Sequence, residues 1–269
     1  MLSIEHFNSG CRERGYSIRV LAAIRTEVLS AIDSVGKEIN KTISDFGVPI
    51  IWNRGGVTSL EHPLIDIVIR RVLYSEEARG IREQSDRVAV WNRYFPKEFY
   101  GKPAQDYILG MTWLRPRDLV RLLSIAKTQF PESTSFNDNA ISASRKEYSY
   151  QSWIELAEEL SARYSKEDIE ALRIILSGFS RYFDARHFSE RMDKMSAEYK
   201  LVAQAAGRTT SSQLLADLYN VGVVGNSSET RKGSKEGKKY RYHYKGDYHP
   251  IMENTFVVHN ALCPFFGLN

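Results

Sequence analysis

The sequence predicts a mainly α-helical chain that ends in a small α+β part. Three observations predict it. Apolar residues recur at helical spacing from Ser59 through Ala206, as in Leu60, Leu64, Ile67, Val68 and Val72. Short apolar and alternating runs then replace that period, at Val221–Gly225, Tyr240–Tyr244 and Phe256–His259. Between the first two of these runs lies a Gly/Ser/Lys-rich stretch, Asn226–Lys238, that suits a loop.

Taken in order, Ser17–Ile24 reads as a short buried strand, because a continuous apolar run of this length fits a strand covered on both faces. A buried helical segment is the alternative that periodicity leaves open. Glu27–Lys41 has helical spacing, and Val48–Trp52 is a second short apolar run closed by the turn Asn53-Arg54-Gly55-Gly56. A helix opens near Pro63, which suits a first turn, and the charged Arg79–Arg87 is expected to be exposed. Asp118–Phe130 is amphipathic and is broken at Pro131, after which Ser135 and Asn137 are candidate caps. Ser152–Tyr164 and Lys166–Leu176 come next, the latter with Ser165 as N-cap, Asp168 in a capping box and Gly178 as its stop. A helix over Ser189–Ala206 ends at Gly207, and Thr210 caps Ser211–Asn220, with Gly222 at the C-cap position. Helices, a two-stranded ribbon with a long basic loop, a third strand and a terminal helix from Asn260 give the outline of a winged helix-turn-helix.

Composition excludes several classes. With 269 residues, 42% hydrophobic and 26% charged, the chain is too apolar to be disordered and long enough for two or three packed units. Cys11 and Cys263 match no metal-ligand spacing, and two unpaired thiols suit a reducing cytoplasm. No apolar run approaches the ~20 residues of a membrane span, so no membrane partner and a cytoplasmic location are expected. Net charge is +4, and its placement matters more than its size: between Ser227 and His249 lie Arg231, Lys232, Lys235, Lys238, Lys239, Arg241 and Lys245 against Glu229, Glu236 and Asp247. That segment carries the whole excess, so a neutral body bears one basic protrusion. A polyanionic partner, nucleic acid above all, is one reading of these seven cations, and a solvated lysine-rich loop is the other. Tyr240, Tyr242, Tyr244 and Tyr248, interleaved with Arg241 and Lys245, suit stacking on exposed bases, or packing on one face of a strand.

Catalytic motifs are absent. There is no G-x-x-x-x-G-K-[ST], no G-x-S-x-G, no H-E-x-x-H and no G-x-G-x-x-G, and the six histidines show no pair at metal-ligand spacing. No catalytic residue and no metal ligand are therefore assigned, and an autonomous enzyme is not expected. Two arginine positions draw attention instead. Arg25 comes directly after the first apolar run, and Arg115-Pro116-Arg117-Asp118 opens a strongly apolar helix. Arginines at a strand end and a helix start can reach phosphate bidentately; helix termination and a surface ion pair are the plainer reading. On Ser211–Asn220, the helix ahead of the basic loop, Ser212, Gln213, Asp217 and Asn220 are read as the exposed face, without the Arg or Lys that a major-groove reader carries.

The order of these features resembles the back half of a bacterial P-loop ATPase of the AAA-like and STAND-like kinds found in mobile and defence islands. Ile18-Arg-Val-Leu-Ala-Ala-Ile-Arg-Thr-Glu, Asn40-Lys41, Ile51-Trp52 and Leu60-x3-Leu64-x5-Arg70-Arg71 resemble the sensor-1 strand and the segment downstream of it. Leu114-Arg-Pro-Arg-Asp-Leu-Val-Arg121 is similar to a lid-helix motif with a sensor-2-like site, Ile141, Ala143 and Tyr148-Ser149 to the next lid segment, and Leu214 to Leu262 to the C-terminal winged helix. Walker A and the acidic Walker B strand are missing, which the resemblance leaves as a truncated product or a degenerate member. The resemblance implies residues 1–78 as a residual α/β core edge, 79–178 as a helical lid and 179–269 as a winged-helix domain. It implies Arg25, Arg115 and Arg117 as nucleotide-sensing residues without a triphosphate in cis, so no cofactor in this chain alone and ATP with magnesium only where a P-loop is supplied elsewhere. The function expected is a non-catalytic regulatory or binding module whose basic winged helix contacts nucleic acid or a protein partner. The alternatives are a subunit or fragment of an active ATPase, with its P-loop on another or longer polypeptide, and an inert structural remnant; an oligomer fits either of the first two.

Overall fold

The computed structural model describes residues 2–24, 45, 47–48, 50, 52, 58–81, 86–228 and 239–268. By its contacts the chain divides into two units, Met1–Ile51 and Trp52–Asn269. In the first, helix α1 (Leu2–Glu13) ends in a turn at Arg14-Gly15. The apolar run after it is not a strand. Residues 16–24 have no regular structure, and Leu21 is 93% exposed. Among the described residues no neighbouring strand pairs with it; its backbone bonds at Val20 go to the side chain of Asn8, which accepts at 2.8 Å and donates at 2.9 Å. A strand covered on both faces needs a ladder partner as well as apolar residues. Of the second run, Val48, Ile50 and Trp52 are described, the first two exposed and Trp52 partly buried, while the helix expected over Glu27–Lys41 lies outside the described residues.

The second unit is mainly helical, with small antiparallel sheets. Helix α2 (Pro63–Ala78) starts on Pro63, and the Nδ1 of His62 accepts the Leu64 N–H at 3.2 Å. Helix α3 (Arg87–Tyr94) is capped by Asp86, which accepts the N–H groups of Val88 and Ala89. Strands β1 (Glu98–Phe99) and β2 (Lys102–Pro103) form a hairpin across Tyr100-Gly101, both with positive φ, 52° and 71°. That pair of dihedral signs belongs to a type I′ turn. Helix α4 (Ala104–Leu109) comes next.

Helix α5 (Pro116–Gln129) packs along α6 (Asp138–Leu160), an uninterrupted helix capped by Asn137, which accepts the Ala140 N–H at 3.0 Å. The sequence-based start of a helix at Ser152 therefore falls mid-helix, because Ser144, Ser149 and Ser152 turn inward rather than breaking it. Helix α7 (Lys166–Leu176) carries the expected capping box of Ser165 and Asp168. Strand β3 (Tyr182–Phe183) then precedes α8 (Ala185–Glu198), whose cap is Asp184. The single helix expected over Ser189–Ala206 is two: Tyr199 leaves helical dihedrals (φ −127°, ψ 112°) and α9 (Lys200–Ala206) restarts beyond it. Thr210 caps α10 (Ser211–Asn220) as expected, accepting the Gln213 N–H.

Strands β4 (Val224–Ser228), β5 (Lys239–Arg241) and β6 (Thr255–Val258) complete an antiparallel sheet of order β3-β6-β4-β5. β6, last in sequence, is central: Val257 stands opposite Tyr182 on one side and Gly225 on the other. The alternating run Tyr240–Tyr244 leaves the sheet early, because His243–Lys245 forms a 3-10 turn closed by Gly246 at φ 95°. Gly225 is dictated by close approach. A Cβ there would stand 2.5 Å from the Tyr242 ring and from the carbonyl of Arg241. Helix α11 (Cys263–Phe266) returns to α6, where Phe266 meets Trp153 edge-on at 5.1 Å and Ser149 Oγ accepts the Phe265 N–H at 2.9 Å. One hydrophobic core cluster draws on residues from Leu64 to Leu268. Trp113 joins the helical layer to the sheet end, donating its Nε1–H to the carbonyl of Gly222 at 2.8 Å.

Candidate anion-binding cleft

The residues that the sequence singles out are dispersed in the structure. Arg25, Arg231, Lys232, Lys235 and Lys238 lie outside the described residues, and Lys239 opens β5. Arg241 is committed inside the fold: its Nε donates to Asp247 Oδ1 at 2.9 Å, and its Nη2 lies at the same distance. Arg115 donates to Glu159 at 2.7 Å. Arg117 and Arg121 both pair with Glu155, so the opening of α5 is laced to α6 by carboxylates. Asp118, buried at the first turn of α5, accepts the Trp113 N–H at 3.1 Å; burial holds its carboxyl above the usual range, against the pull of Arg115, Arg121 and Arg117. This geometry matches the ion-pair reading of these arginines. Asp217, read from the sequence as part of an exposed face, is buried and takes Arg163, the Tyr164 hydroxyl and Gln213, because α10 turns that side toward the chain ahead of α7.

Among the described cations that the sequence singles out, Lys245 lines a cleft of about 650 Å³ within the second unit, together with Tyr240, Tyr242 and Tyr244. Its floor and walls come from the β1–β2 turn, α4, α6, the start of β3, and β5 with the chain beyond it. Four cations face it, Lys102, Arg145, Arg181 and Lys245, against one carboxylate, Asp106, whose oxygen already accepts the Ser59 hydroxyl. His62 and His259 add no charge at neutral pH. Burial lowers both, His259 to about 3, with Lys245 and Arg181 adding to the effect. The Lys245 ammonium stands 5.3 Å over the Tyr242 ring, and desolvation lowers its pKa while Asp247 raises it.

Three polar atoms in the cleft wall are buried without a hydrogen-bond partner: Nε of Arg145, Nε of Arg181 and the hydroxyl of Tyr107. A buried donor left without an acceptor costs about 1–3 kcal/mol, so such atoms mark places where an acceptor is due. Two backbone outliers add to this. Tyr100 (φ 52°) and Leu114 (φ 55°) are the non-glycine residues of positive φ among the described residues, and both line the cleft. Strain of this kind concentrates at sites that bind.

Aromatic rings supply the rest of the lining. Tyr100 is 58% exposed and leans on Tyr107, their centroids 5.3 Å apart. The hydroxyls of Tyr182 and Tyr240 meet at 3.0 Å, and burial with that contact raises Tyr240 to about 12. Tyr242, which is buried, and Tyr244, which is partly buried, stack at 5.1 Å in the same wall, whereas Tyr248 is exposed. His259 is structural here. Its ring stacks on Trp113 at 4.1 Å, and its Nδ1 accepts the Ala261 N–H, so Nε2 carries the proton and donates to the Tyr244 hydroxyl at 3.1 Å. With both nitrogens engaged it is no general base.

Sequence reasoning missed Lys102, Tyr107, Arg145 and Arg181. The one local signal was the Tyr100-Gly101 turn, which places a large ring at a hairpin tip. Among the described residues no group of three or more His, Cys, Asp or Glu is placed to hold a metal, and no helix is long and apolar enough to cross a membrane. Compared with known protein families, residues 62–157 match the FunZ-associated C-terminal helical domain, a stretch that runs from the cap of α2 into the last turns of α6. That likeness fits a C-terminal helical module. Neither a curated protein nor a solved structure matches the chain.

Proposed function

We propose that this chain is a non-catalytic binding module whose C-terminal part works as a winged helix and holds nucleic acid by its phosphate backbone. The observation that carries this reading is where the fold mounts its charge. The segment that bears the chain's whole net positive charge, Ser227–His249, runs from the end of β4 through β5 to the chain beyond it, and β5 is the outer strand of the sheet. The chain order supports it too: α7, β3, two helical segments, α10, β4, a long excursion and a returning β6 that lies between β3 and β4 is the order of a winged helix, with residues 229–254 as an enlarged wing. Readout of base sequence by α10 is not part of the proposal, since Asp217 and Gln213 on that helix are bonded internally and no cation replaces them. Phosphate contacts position a protein without specifying sequence.

The test is fluorescence anisotropy with labelled duplex and single-stranded oligonucleotides over a range of salt, using the full chain and a variant with Arg231, Lys232, Lys235 and Lys238 changed to Ser. Each phosphate contact contributes about −0.9 to the log–log salt slope, so a slope of about −3 is expected for the wild type, shrinking toward zero in the variant. Binding that is absent, or indifferent to the four substitutions, overturns the proposal and makes a protein the partner of this face.

A further inference from the structure

We propose that the cleft is a nucleoside-phosphate site, in which Arg145 and Arg181 take the phosphate and the tyrosine rings take the base. The inference deepens the nucleic-acid reading and rests on it for one source of the nucleotide, but it stands on residues apart from the basic segment.

The chemistry of the ligand is set by what the wall lacks. The Nε atoms of Arg145 and Arg181 and the hydroxyl of Tyr107 are buried, belong to residues that line the cleft, and have no acceptor among the described residues. Three unanswered donors on cleft-lining residues of α6, the chain ahead of β3 and α4 suit a ligand with several acceptor oxygens on one centre. The surrounding charge says that this ligand is anionic, since Lys102 and Lys245 join the two guanidiniums and Asp106 is the one carboxylate lining the cleft. A guanidinium fork matches the tetrahedral oxygens of a phosphate in pairs. A bare inorganic anion fills only a fraction of about 650 Å³, and the remaining wall is aromatic. Tyr100 offers an exposed ring from a turn of positive φ, and the linked pair Tyr182 and Tyr240 lines the same cleft. Ring faces of this kind stack on any base, so the site takes a nucleotide without choosing its sequence. A cleft of this volume suits one or two unpaired nucleotides, in the size class of ordinary small-ligand pockets, and not a duplex.

Free nucleotides and unpaired strand ends share this chemistry, and the experiment separates them. The full chain is titrated with 2-aminopurine riboside monophosphate, with a short single strand carrying 2-aminopurine at its phosphorylated end, and with inorganic phosphate as competitor. Stacking on tyrosine quenches the 2-aminopurine fluorescence. Arg145→Gln with Arg181→Gln is expected to weaken both fluorescent ligands at least tenfold. Tyr100→Leu removes the ring at an exposed position and should abolish most of the quench. Tyr107→Phe is the control for folding: it removes an orphaned hydroxyl, so Tm holds or rises while affinity falls a few-fold, whereas a purely structural tyrosine would lose Tm. A strand that binds much more tightly than the monophosphate assigns the site to strand ends; equal affinities assign it to free nucleotide. Cleft-dependent binding that persists when Arg231, Lys232, Lys235 and Lys238 are Ser supports the site even where the winged-helix reading fails. The proposal is overturned if the double arginine variant binds both ligands as the wild type does, or if inorganic phosphate competes as well as the monophosphate, which would leave an anion site with no place for a base.

Discussion

The molecule holds two sets of arginines in opposite states. Along α5 and α6, Arg115, Arg117 and Arg121 each meet a carboxylate supplied by α6, Glu159 or Glu155. In the cleft, Arg145 and Arg181 come from a helix and a strand start, and among the described residues no acceptor reaches their buried Nε atoms. Arg145 belongs to the same helix that supplies Glu155 and Glu159, so one element answers the arginines of α5 and leaves its own Nε unanswered. A paired guanidinium is part of the scaffold, and a buried one whose Nε lacks an acceptor favours an anion beside it.

The sharpest way to break this comparison is to neutralise each set and measure binding. Arg145→Gln with Arg181→Gln should cost about a hundredfold in affinity for the labelled strand, roughly 1.4 kcal/mol for each guanidinium removed from a phosphate. Arg115→Gln with Arg117→Gln should leave that affinity within twofold. If the α5 pair mattered as much, the nucleotide-sensing role that the ATPase resemblance implies for Arg115 and Arg117 would gain over the cleft.

Stability should rank the two sets the other way. Glu155→Gln strands two guanidiniums, of which Arg121 is the more buried, and should cost about 1–3 kcal/mol in urea unfolding. Arg145→Gln removes a cation whose buried Nε no protein acceptor holds, so its cost should stay within about 0.5 kcal/mol. Equal losses at the two positions would show that the guanidinium of Arg145 serves the fold.

How much of this was legible in the sequence depends on how local the cause is. Asn137, Ser165, Thr210 and Gly222 were readable because a cap bonds backbone groups two or three residues away. Ser17–Ile24 reads as a strand and is not one, because a strand is completed by a partner and the run contains no sign that one is missing. Arg117 stood out because it opens a helix beside Pro116, yet what decides its role is Glu155, 38 residues further on. Arg145 looks like any polar residue on a helix, and only the return of β6 and the His259 segment over α6 turns its surroundings into a wall. The tyrosines at 240, 242 and 244 were visible as an alternation, and all three line the cleft: Tyr242 is buried and stacks on Tyr244, while Tyr240 meets the Tyr182 hydroxyl.

A pH-dependent effect comes from His259, which stands in the cleft wall and reports on its burial. Desolvation, with Lys245 and Arg181 nearby, holds its folded pKa at about 3 against the ordinary 6.5 of an unfolded histidine. Between these values the unfolded chain binds a proton that the folded chain refuses, so stability falls as pH drops below 6.5 and the loss is complete near 3. From pH 7 to pH 5.5 this amounts to about 1 kcal/mol. Asp118, on the α5–α6 side, acts with the opposite sign, since a carboxyl held above its usual range in the folded state takes up its proton there first. The difference between wild type and His259→Asn therefore isolates the histidine: the asparagine oxygen can still accept the Ala261 N–H, and the slope of stability against pH should flatten between 7 and 5.5. A bound phosphate should flatten it as well, because a negative charge beside Lys245 and Arg181 offsets the two cations that help keep the ring neutral. A slope that ignores both the substitution and the ligand would mean that the ring is hydrated and that the cleft wall around it is open to water.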